Sequence, residues 1–196
     1  MDTLDAIIGR QSVAAPFLSE PGPDGEALRS MLRAAAAAPD HGRLRPWRFV
    51  VIRGEARARL GAVFAEALLA RDPEAPEAAL QQERQRPLRA PLLIAVIGRI
   101  DPDHAKIPKV EQILSTGAAA QNLLLAAHAL GFGGKWVTGA NAYDPEVKRA
   151  LGAGEHDIVA GLLHFGTVEG TPPAVPHADP GGHALEWRGA GDLVPM

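Results

Sequence analysis

The sequence has no cysteine among its 196 residues. This absence excludes disulfide bonds, thiolate nucleophiles, and zinc or iron–sulfur sites with cysteine ligands. The chain also has neither a Gly-x-Ser-x-Gly elbow nor a phosphate-binding loop that ends in Gly-Lys-Ser/Thr. Asp101, Asp103 and His104 lie close together, but Pro102 and the turn-like composition favour a solvent-facing loop, so no metal site is predicted. Few conventional catalytic groups remain.

A basic excess and a long apolar run are missing as well. The formal net charge is -3 at pH 7, so no overall positive field attracts nucleic acid or anionic lipid. The longest nearly apolar run, residues 118–130, is interrupted by Gln121, Asn122 and His128 and is shorter than the roughly 20 residues of a membrane span. Residues 1–5 lack the basic and apolar pattern of a signal peptide. We therefore expect no nucleic-acid partner, no membrane partner and a cytoplasmic location.

The chain does contain enough apolar sequence for one core. Hydrophobic residues make up 46% of the chain, which predicts a single domain over residues 1–196 that buries on the order of 70% of its unfolded surface. Helices and strands are interspersed without regular strand–helix–strand alternation, so the predicted fold class is α+β. Predicted helices cover about 2–9, 24–39, 55–72 and 108–130, with a short one from 145, and predicted strands cover 47–52, 91–98, 135–139 and 157–166.

Three regions carry less regular expectations. Residues 73–89 mix alanine with charged side chains, which predicts a solvated, mobile helix or lid. A proline-rich, polar tail follows Pro172. The helix over 108–130 is almost apolar around its circumference in its second half, so it has to be enclosed. Either it is the central helix of a domain, or one face contacts an identical helix across a dimer.

Residues 38–52 give the sharpest local signal for function. Pro39 ends an alanine-rich helix, and a buried strand begins at Trp47. Between them, Asp40, His41 and Gly42, with nearby arginines, supply hydrogen-bond donors, positive charge and backbone freedom. A cationic loop between two rigid elements suits an anionic, planar ligand, although a simple helix-to-strand connection would have a similar sequence.

Two further segments suit the same kind of ligand. The Arg-Gln-Ser sequence at 10–12 offers groups that bind phosphate and polyol oxygens, although an arginine at a helix C-terminus is also favourable for the helix dipole alone. Residues 136–138 offer backbone amides, a hydroxyl and the indole of Trp136 as a flat wall, or else a tryptophan of the core. The glycines at 131–134 stop a helix and precede a strand, the reverse of the dinucleotide-binding context. Together these segments indicate a bound cofactor.

Taken in order, these segments resemble the FMN-dependent nitroreductase family, and within it the compact branch of small NAD(P)H nitroreductases. The resemblance is carried by residues 10–12, 37–41, 46–49, 117–127 and 131–136. It implies an α+β homodimer with a mainly antiparallel central sheet flanked by helices. It also implies two FMN sites at the subunit interface, each of which draws on both chains.

The resemblance also implies roles for individual residues. The FMN phosphate or ribityl chain would be held by Arg10, Gln11 and Ser12, and the same subunit's part of the pocket would be lined by Trp136, Val137 and Thr138. Ala37 and His41 would approach the flavin from the partner chain. The stretch associated with the nicotinamide nucleotide would be Ala126, Ala127, His128, Ala129, Leu130 and Gly131. No side chain is expected to be a catalytic acid or base, because the flavin carries the chemistry.

The activity implied by the resemblance is transfer of a hydride from NAD(P)H through FMN to a small-molecule acceptor, such as a nitroaromatic or a quinone, by a ping-pong mechanism. Two alternatives stay open. One is a flavin enzyme of the same fold with another reaction, either dehalogenation or flavin breakdown. The other is a dimeric flavin-binding or storage protein without fast turnover.

The chain departs from the family pattern in ways that reduce positive charge. The family motif reads Arg-Arg-Ser with a further basic residue soon after, whereas here Gln11 takes the second position and Val-Ala-Ala follows at 13–15. Relatives tend to have arginine where Ala37 and Val137 stand. The pocket is therefore expected to be less cationic. Candidates to replace the missing charges are Lys135, Arg43, Arg45, Arg48 and Arg188.

Overall fold

A five-stranded sheet forms the centre of the protein, in a computed structural model that describes residues 2–196. Every strand pairing in this sheet is antiparallel. The strand β5 pairs with β3, with β4 and, at its C-terminal end, with β1, while β2 lies on the outer side of β3. The bounds are β1 Leu18–Ser19, β2 Trp47–Arg53, β3 Leu92–Gly98, β4 Phe132–Val137 and β5 Ile158–Val168.

Seven helices are described, and they cover both faces of the sheet. Their bounds are α1 Thr3–Gly9, α2 Gly25–Ala36, α3 Glu55–Arg71, α4 Glu77–Gln85, α5 Lys109–Ala129, α6 Ala140–Tyr143 and α7 Pro145–Ala150. Phe64 of α3 and Val147 of α7 share a core with Leu93 on one face, while Met31 of α2 and Leu123 of α5 share a second core on the other. The predicted α+β class with a mainly antiparallel sheet is confirmed.

Local sequence explains several of the boundaries. At the start of α1, the Asp2 carboxylate accepts a hydrogen bond from the backbone N–H of Asp5 at 2.9 Å. The Asp5 carboxylate in turn accepts one from the backbone N–H of Asp2. The Asp144 carboxylate caps α7 in the same way. Asp24 lies at the predicted N-cap of α2, but its side chain makes no capping bond. All seven residues of β3 are buried, as their apolar run predicts.

Three segments differ from the expectations. Gly133 and Gly134 lie inside β4, paired with β5, rather than in a turn. The close packing there favours glycine, since a Cβ at these positions would come within 2.7 and 2.9 Å of the Leu18 and Leu124 side chains. Within residues 73–89, α4 is helical as predicted, but it buries Leu80 and packs closely on α3. The tail forms a hairpin of β6 Leu185–Gly189 and β7 Asp192–Pro195, which its polar composition did not predict.

The long helix α5 is only partly enclosed within one chain. One face is buried, yet Leu114 is 67% exposed, and Val110 beside it is exposed as well. Apolar side chains of α1, among them Leu4, Ile7 and Ile8, are also exposed. Among residues 2–196, no helix combines the length and the apolar character that a membrane crossing requires.

Candidate functional site

A cavity of about 360 Å³ opens beside the C-terminal half of β4, and we call it the β4 cavity. In register, Lys135 lies opposite His164 and Val137 opposite Leu162, so these four side chains share one face of the sheet. The volume falls in the range of small-molecule sites, roughly 300–1,000 Å³. Its lining residues are Ala15, Leu18, Phe64, Arg86, Arg89, Lys135, Trp136, Val137, Thr138, Asn141, Leu162 and His164.

Three cations line the β4 cavity: Arg86, Arg89 and Lys135. Lys135 was among the candidates to replace the missing family arginines, and the structure places it beside predicted flavin residues. Sequence reasoning missed Arg86 and Arg89, because their segment was interpreted as a solvated lid. The signal that was available is their position directly before the buried strand β3, which brings the turn at 86–89 to the edge of the sheet.

A polar network around the nearly buried Glu83 and Asp144 side chains connects part of this lining, although the Arg86 side chain itself is half-exposed. The Glu83 carboxylate, only 12% exposed, accepts hydrogen bonds from Arg86 Nε and Asn141 Nδ2, both at 2.7 Å. The Asn141 carbonyl oxygen in turn accepts from Arg71 at 3.5 Å, and Arg71 forms an ion pair with the buried Asp144. The network therefore joins α3, α4, α6 and the start of α7, and two of its members, Arg86 and Asn141, line the β4 cavity.

His164 forms part of the cavity wall, and its buried position favours the neutral ring. Burial lowers the pKa of His164 below its ordinary value of 6.5, because the protonated ring would lose hydration. Hydrogen bonds to the backbone of Arg86 and Leu162 oppose this shift, while the positive charges of Lys135 and Arg89 add to it. The positive charge of the cavity wall therefore comes from Lys135 and the two arginines.

Trp136 lies at the edge of the β4 cavity, but its indole is engaged elsewhere. Its Nε1 donates to the carbonyl oxygen of Ala160 at 2.9 Å, and the ring lies against Gly161, where any Cβ would clash with it. The ring also packs against the core shared by α2 and α5. Trp136 therefore packs its indole against the core and also contributes to the lining of the β4 cavity.

The residues at 10–12 lie along the free edge of β4. Val13 N donates to the Gly134 carbonyl at 3.0 Å, which fixes the segment next to the strand. Arg10 and Gln11 line a second depression of about 180 Å³, together with His128 of α5 and residues 133–134. Gln11 is also engaged with the tail, since its Oε1 accepts from Val175 N at 3.1 Å. Ser12 is exposed and lies outside the lining of this depression.

Ala37 lies in a third depression, of about 430 Å³, between α1, α2 and α5. Of the predicted nucleotide stretch, Ala126 and Ala129 share this depression, while His128 lines the one at Arg10 and Ala127 is fully buried in the core. Leu130 and Gly131 are exposed in the turn that follows α5. Within residues 2–196 of a single chain, the predicted site residues that line a depression are therefore divided among three, and the others line none of these.

The loop that carries His41 is tethered to α5. His41 Nδ1 lies 2.6 Å from Glu111 Oε2, and the Ser115 hydroxyl donates to the Pro39 carbonyl oxygen at 2.7 Å. The Asn122 amide donates to the Ala34 carbonyl oxygen at 3.0 Å. Three α5 side chains thus fix the end of α2 and the loop after it.

Comparison with known proteins agrees with this architecture. The sequence model of the Nitroreductase family matches residues 7–167. A protein of Escherichia coli strain K12 named "Putative NAD(P)H nitroreductase YdjA" is 42% identical over 167 residues, which cover 85% of this chain and 88% of that protein.

Solved structures show the same fold. A nitroreductase-like family protein from Bacillus cereus superposes with a TM-score of 0.80 at 23% identity, over 96% of this chain and 97% of that one. A nitroreductase from Bacteroides fragilis, solved with bound FMN, superposes with a TM-score of 0.68 at 22% identity, over 92% and 96% of the two chains. The sequence matches show that this chain belongs to the nitroreductase family, and the solved structures share its fold.

Proposed function

We propose that this protein is an FMN-dependent oxidoreductase that uses NAD(P)H to reduce a nitroaromatic, a quinone or a similar small acceptor by a ping-pong mechanism. Its family membership and the 42% identity to a protein named as an NAD(P)H nitroreductase support the reaction class. The FMN bound in the Bacteroides fragilis structure supports the cofactor. The observation that carries the proposal is the β4 cavity, where three cations stand beside the predicted flavin residues.

The donor set around β4 fits the chemistry of FMN. FMN presents a phosphate dianion, a polyol chain and a planar ring that bears polar edges. Arg10 and the neighbouring Gln11 offer charged and neutral donors at one end of β4, while Lys135 and Thr138 offer donors towards its other end. Leu162 and Phe64 supply apolar surface in the β4 cavity. The β4 cavity thus combines apolar wall with polar and charged side chains that can fix the orientation of a cofactor.

Bound FMN would supply the redox chemistry by taking a hydride from NAD(P)H and passing electrons to the acceptor. The chain's own residues bind and orient the cofactor. Arg10 with Gln11 and Ser12 would hold the phosphate or the ribityl chain, and residues 136–138 would line the pocket. Arg86, Arg89 and Lys135 would provide the positive charge that the family arginines missing at Gln11, Ala37 and Val137 would otherwise give. Donors fixed in a dry cavity stabilise negative charge without reorganisation.

We further propose that two copies associate through α1 and α5 and share their sites. The exposed apolar side chains of these helices support this, because soluble proteins seldom leave several such groups uncovered. In the dimer, Ala37 and His41 would approach the flavin of the partner subunit. The stretch at 126–131 would bind the nicotinamide nucleotide. Parts of this stretch line the depressions that contain Ala37 and Arg10.

The test begins with the absorption spectrum and the solution mass of the purified protein. We expect a yellow protein of dimeric mass that binds FMN and, with NAD(P)H, reduces a nitroaromatic or a quinone with parallel-line kinetics. Colourless protein that takes up no added FMN would refute the proposal. Flavin that stays oxidised in stopped flow with both NADH and NADPH would instead identify a binding or storage protein.

A further inference from the structure

Glu83 is a nearly buried carboxylate that contacts the β4 cavity only through other residues. It does not line the cavity itself, but both of its partners, Arg86 and Asn141, do. A carboxylate at 12% exposure has lost most of its hydration, and its two hydrogen bonds compensate for that loss. Both hydrogen-bond partners of Glu83 are therefore residues of the cavity lining.

The contact with Arg86 is made at one nitrogen only. Glu83 Oε1 accepts from Nε of Arg86, and among residues 2–196 no side chain accepts from the two terminal nitrogens. A guanidinium carries five N–H donors in a rigid plane, so engagement of Nε fixes the plane and leaves the terminal donors free. A free arginine side chain would have to lose this rotational freedom when it binds a ligand.

The second partner explains why the carboxylate cannot be replaced by an amide. Asn141 donates to Glu83 through Nδ2 while its carbonyl oxygen accepts from Arg71. Rotation of the Asn141 amide by half a turn would bring its NH₂ group against the guanidinium of Arg71. A glutamine at position 83 would place an NH₂ group against a donor of either Arg86 or Asn141. At least one of the hydrogen bonds that join Arg86, residue 83, Asn141 and Arg71 is then lost.

We infer that Glu83 is a positioning residue that fixes Arg86 and Asn141 in the β4 cavity, so that the terminal nitrogens of Arg86 are free to donate hydrogen bonds to acceptor atoms of FMN. The inference rests on the proposed function. In this arrangement Arg86 contacts the cofactor, and Glu83 only holds Arg86 and Asn141 in position. The same helix offers a matched control, because Glu77 forms an ion pair with Arg84 that is exposed to solvent.

The experiment is a titration of the cofactor-free full-length protein with FMN, followed by fluorescence and by the visible absorption band of the bound flavin. We expect Glu83→Gln to weaken binding about tenfold and to shift the band, as Arg86→Ala does. Glu77→Gln should bind within about twofold of the unchanged protein and give its spectrum. In the double variant, Glu83→Gln should add less to the loss that Arg86→Ala causes than it costs alone, since the part of its effect that acts through Arg86 is already gone.

Several results would overturn the inference. They are unchanged affinity and spectrum in Glu83→Gln, or full additivity of the two losses. If Glu83→Gln does not fold, Arg86→Lys replaces it: this variant keeps the charge but lacks the planar fork, and unchanged FMN affinity in it would also overturn the inference. Unchanged protein that binds no FMN would refute the proposed function itself, which is a different outcome from normal binding with an inert Glu83.

Discussion

The close approach of α3 and α4 gives the sharpest prediction about stability. The two helices can approach this closely only because residue 61 is a glycine, which has a hydrogen atom in place of a Cβ. Gly61 of α3 is buried, and a Cβ built there would lie 2.2 Å from the backbone carbonyl oxygen of Arg84. The contacted atom belongs to a backbone and cannot rotate away. Gly61→Ala therefore has to push the two helices apart by about 1 Å to reach an ordinary contact distance.

The expected cost follows from overpacking. Insertion of one methyl group into a well-packed contact costs roughly 1–3 kcal/mol, and the better helix propensity of alanine returns up to about 1 kcal/mol. We expect a net loss of about 1–2 kcal/mol, or a fall in Tm of roughly 2–8 °C for a chain of this size. Because α4 carries Glu83 and leads into Arg86, the same displacement should weaken FMN binding.

Urea unfolding followed by circular dichroism measures the first effect, and FMN titration of the folded variant measures the second. Glu66→Ala, on the exposed face of the same helix, is the control and should change stability by less than about 0.5 kcal/mol. A Gly61→Ala variant as stable as the unchanged protein would show that α3 and α4 do not pack this closely in solution. In that case no displacement of α4, and no weaker FMN binding through Glu83 and Arg86, would be expected.

Three further predictions concern the cofactor, the pH and the dimer. Arg10→Ala should weaken FMN binding by roughly 1.5–3 kcal/mol, the value of a charge-assisted hydrogen bond, and undiminished retention of flavin would show that Arg10 does not hold it. Since the pKa of His164 is lowered in the folded protein, the unfolded chain binds more protons as the pH falls below 6.5, so stability should decrease there. The decrease, measured by urea unfolding at several pH values, should be smaller in His164→Gln, and an equal decrease would exclude His164 as its source. Leu114→Glu should shift the solution mass, measured by light scattering, towards the monomer and reduce FMN binding, whereas a stable dimer would place the interface elsewhere.

The parts of the fold that sequence could predict are those with strong periodicity or strong boundary residues. The uninterrupted apolar run of β3 and the long pattern of α5 indicate buried elements whatever surrounds them. Asp2, Gly54 and Asp144 mark helix starts through side-chain caps or backbone conformation. The order of the motifs predicted the family, which the family match and the fold confirm.

The parts that sequence could not predict depend on contacts between distant residues. Glycines 133 and 134 look like a turn in the sequence, yet side chains from β1 and α5 leave room only for glycine in a strand. The sequence around Arg86 predicts a solvated side chain, whereas the fold brings the turn after α4 to the same cavity as β4. His41 and Glu111 are separated by 70 positions, and nothing local to either predicts their pairing. The predicted binding roles of Ala37, His41 and Thr138 stay predictions, because they depend on a second subunit and a bound cofactor.

The segment at residues 10–13 has a consequence for solubility as well as for binding. β4 has a strand neighbour on one side only, and its second and third residues are glycines, so a bare edge there would be a flat template for strands of other molecules. The bond from Val13 to Gly134 occupies part of that edge from within the chain. If Arg10 binds FMN as proposed, the peptide that carries it also protects the sheet edge against aggregation, and a change in this peptide would affect both properties.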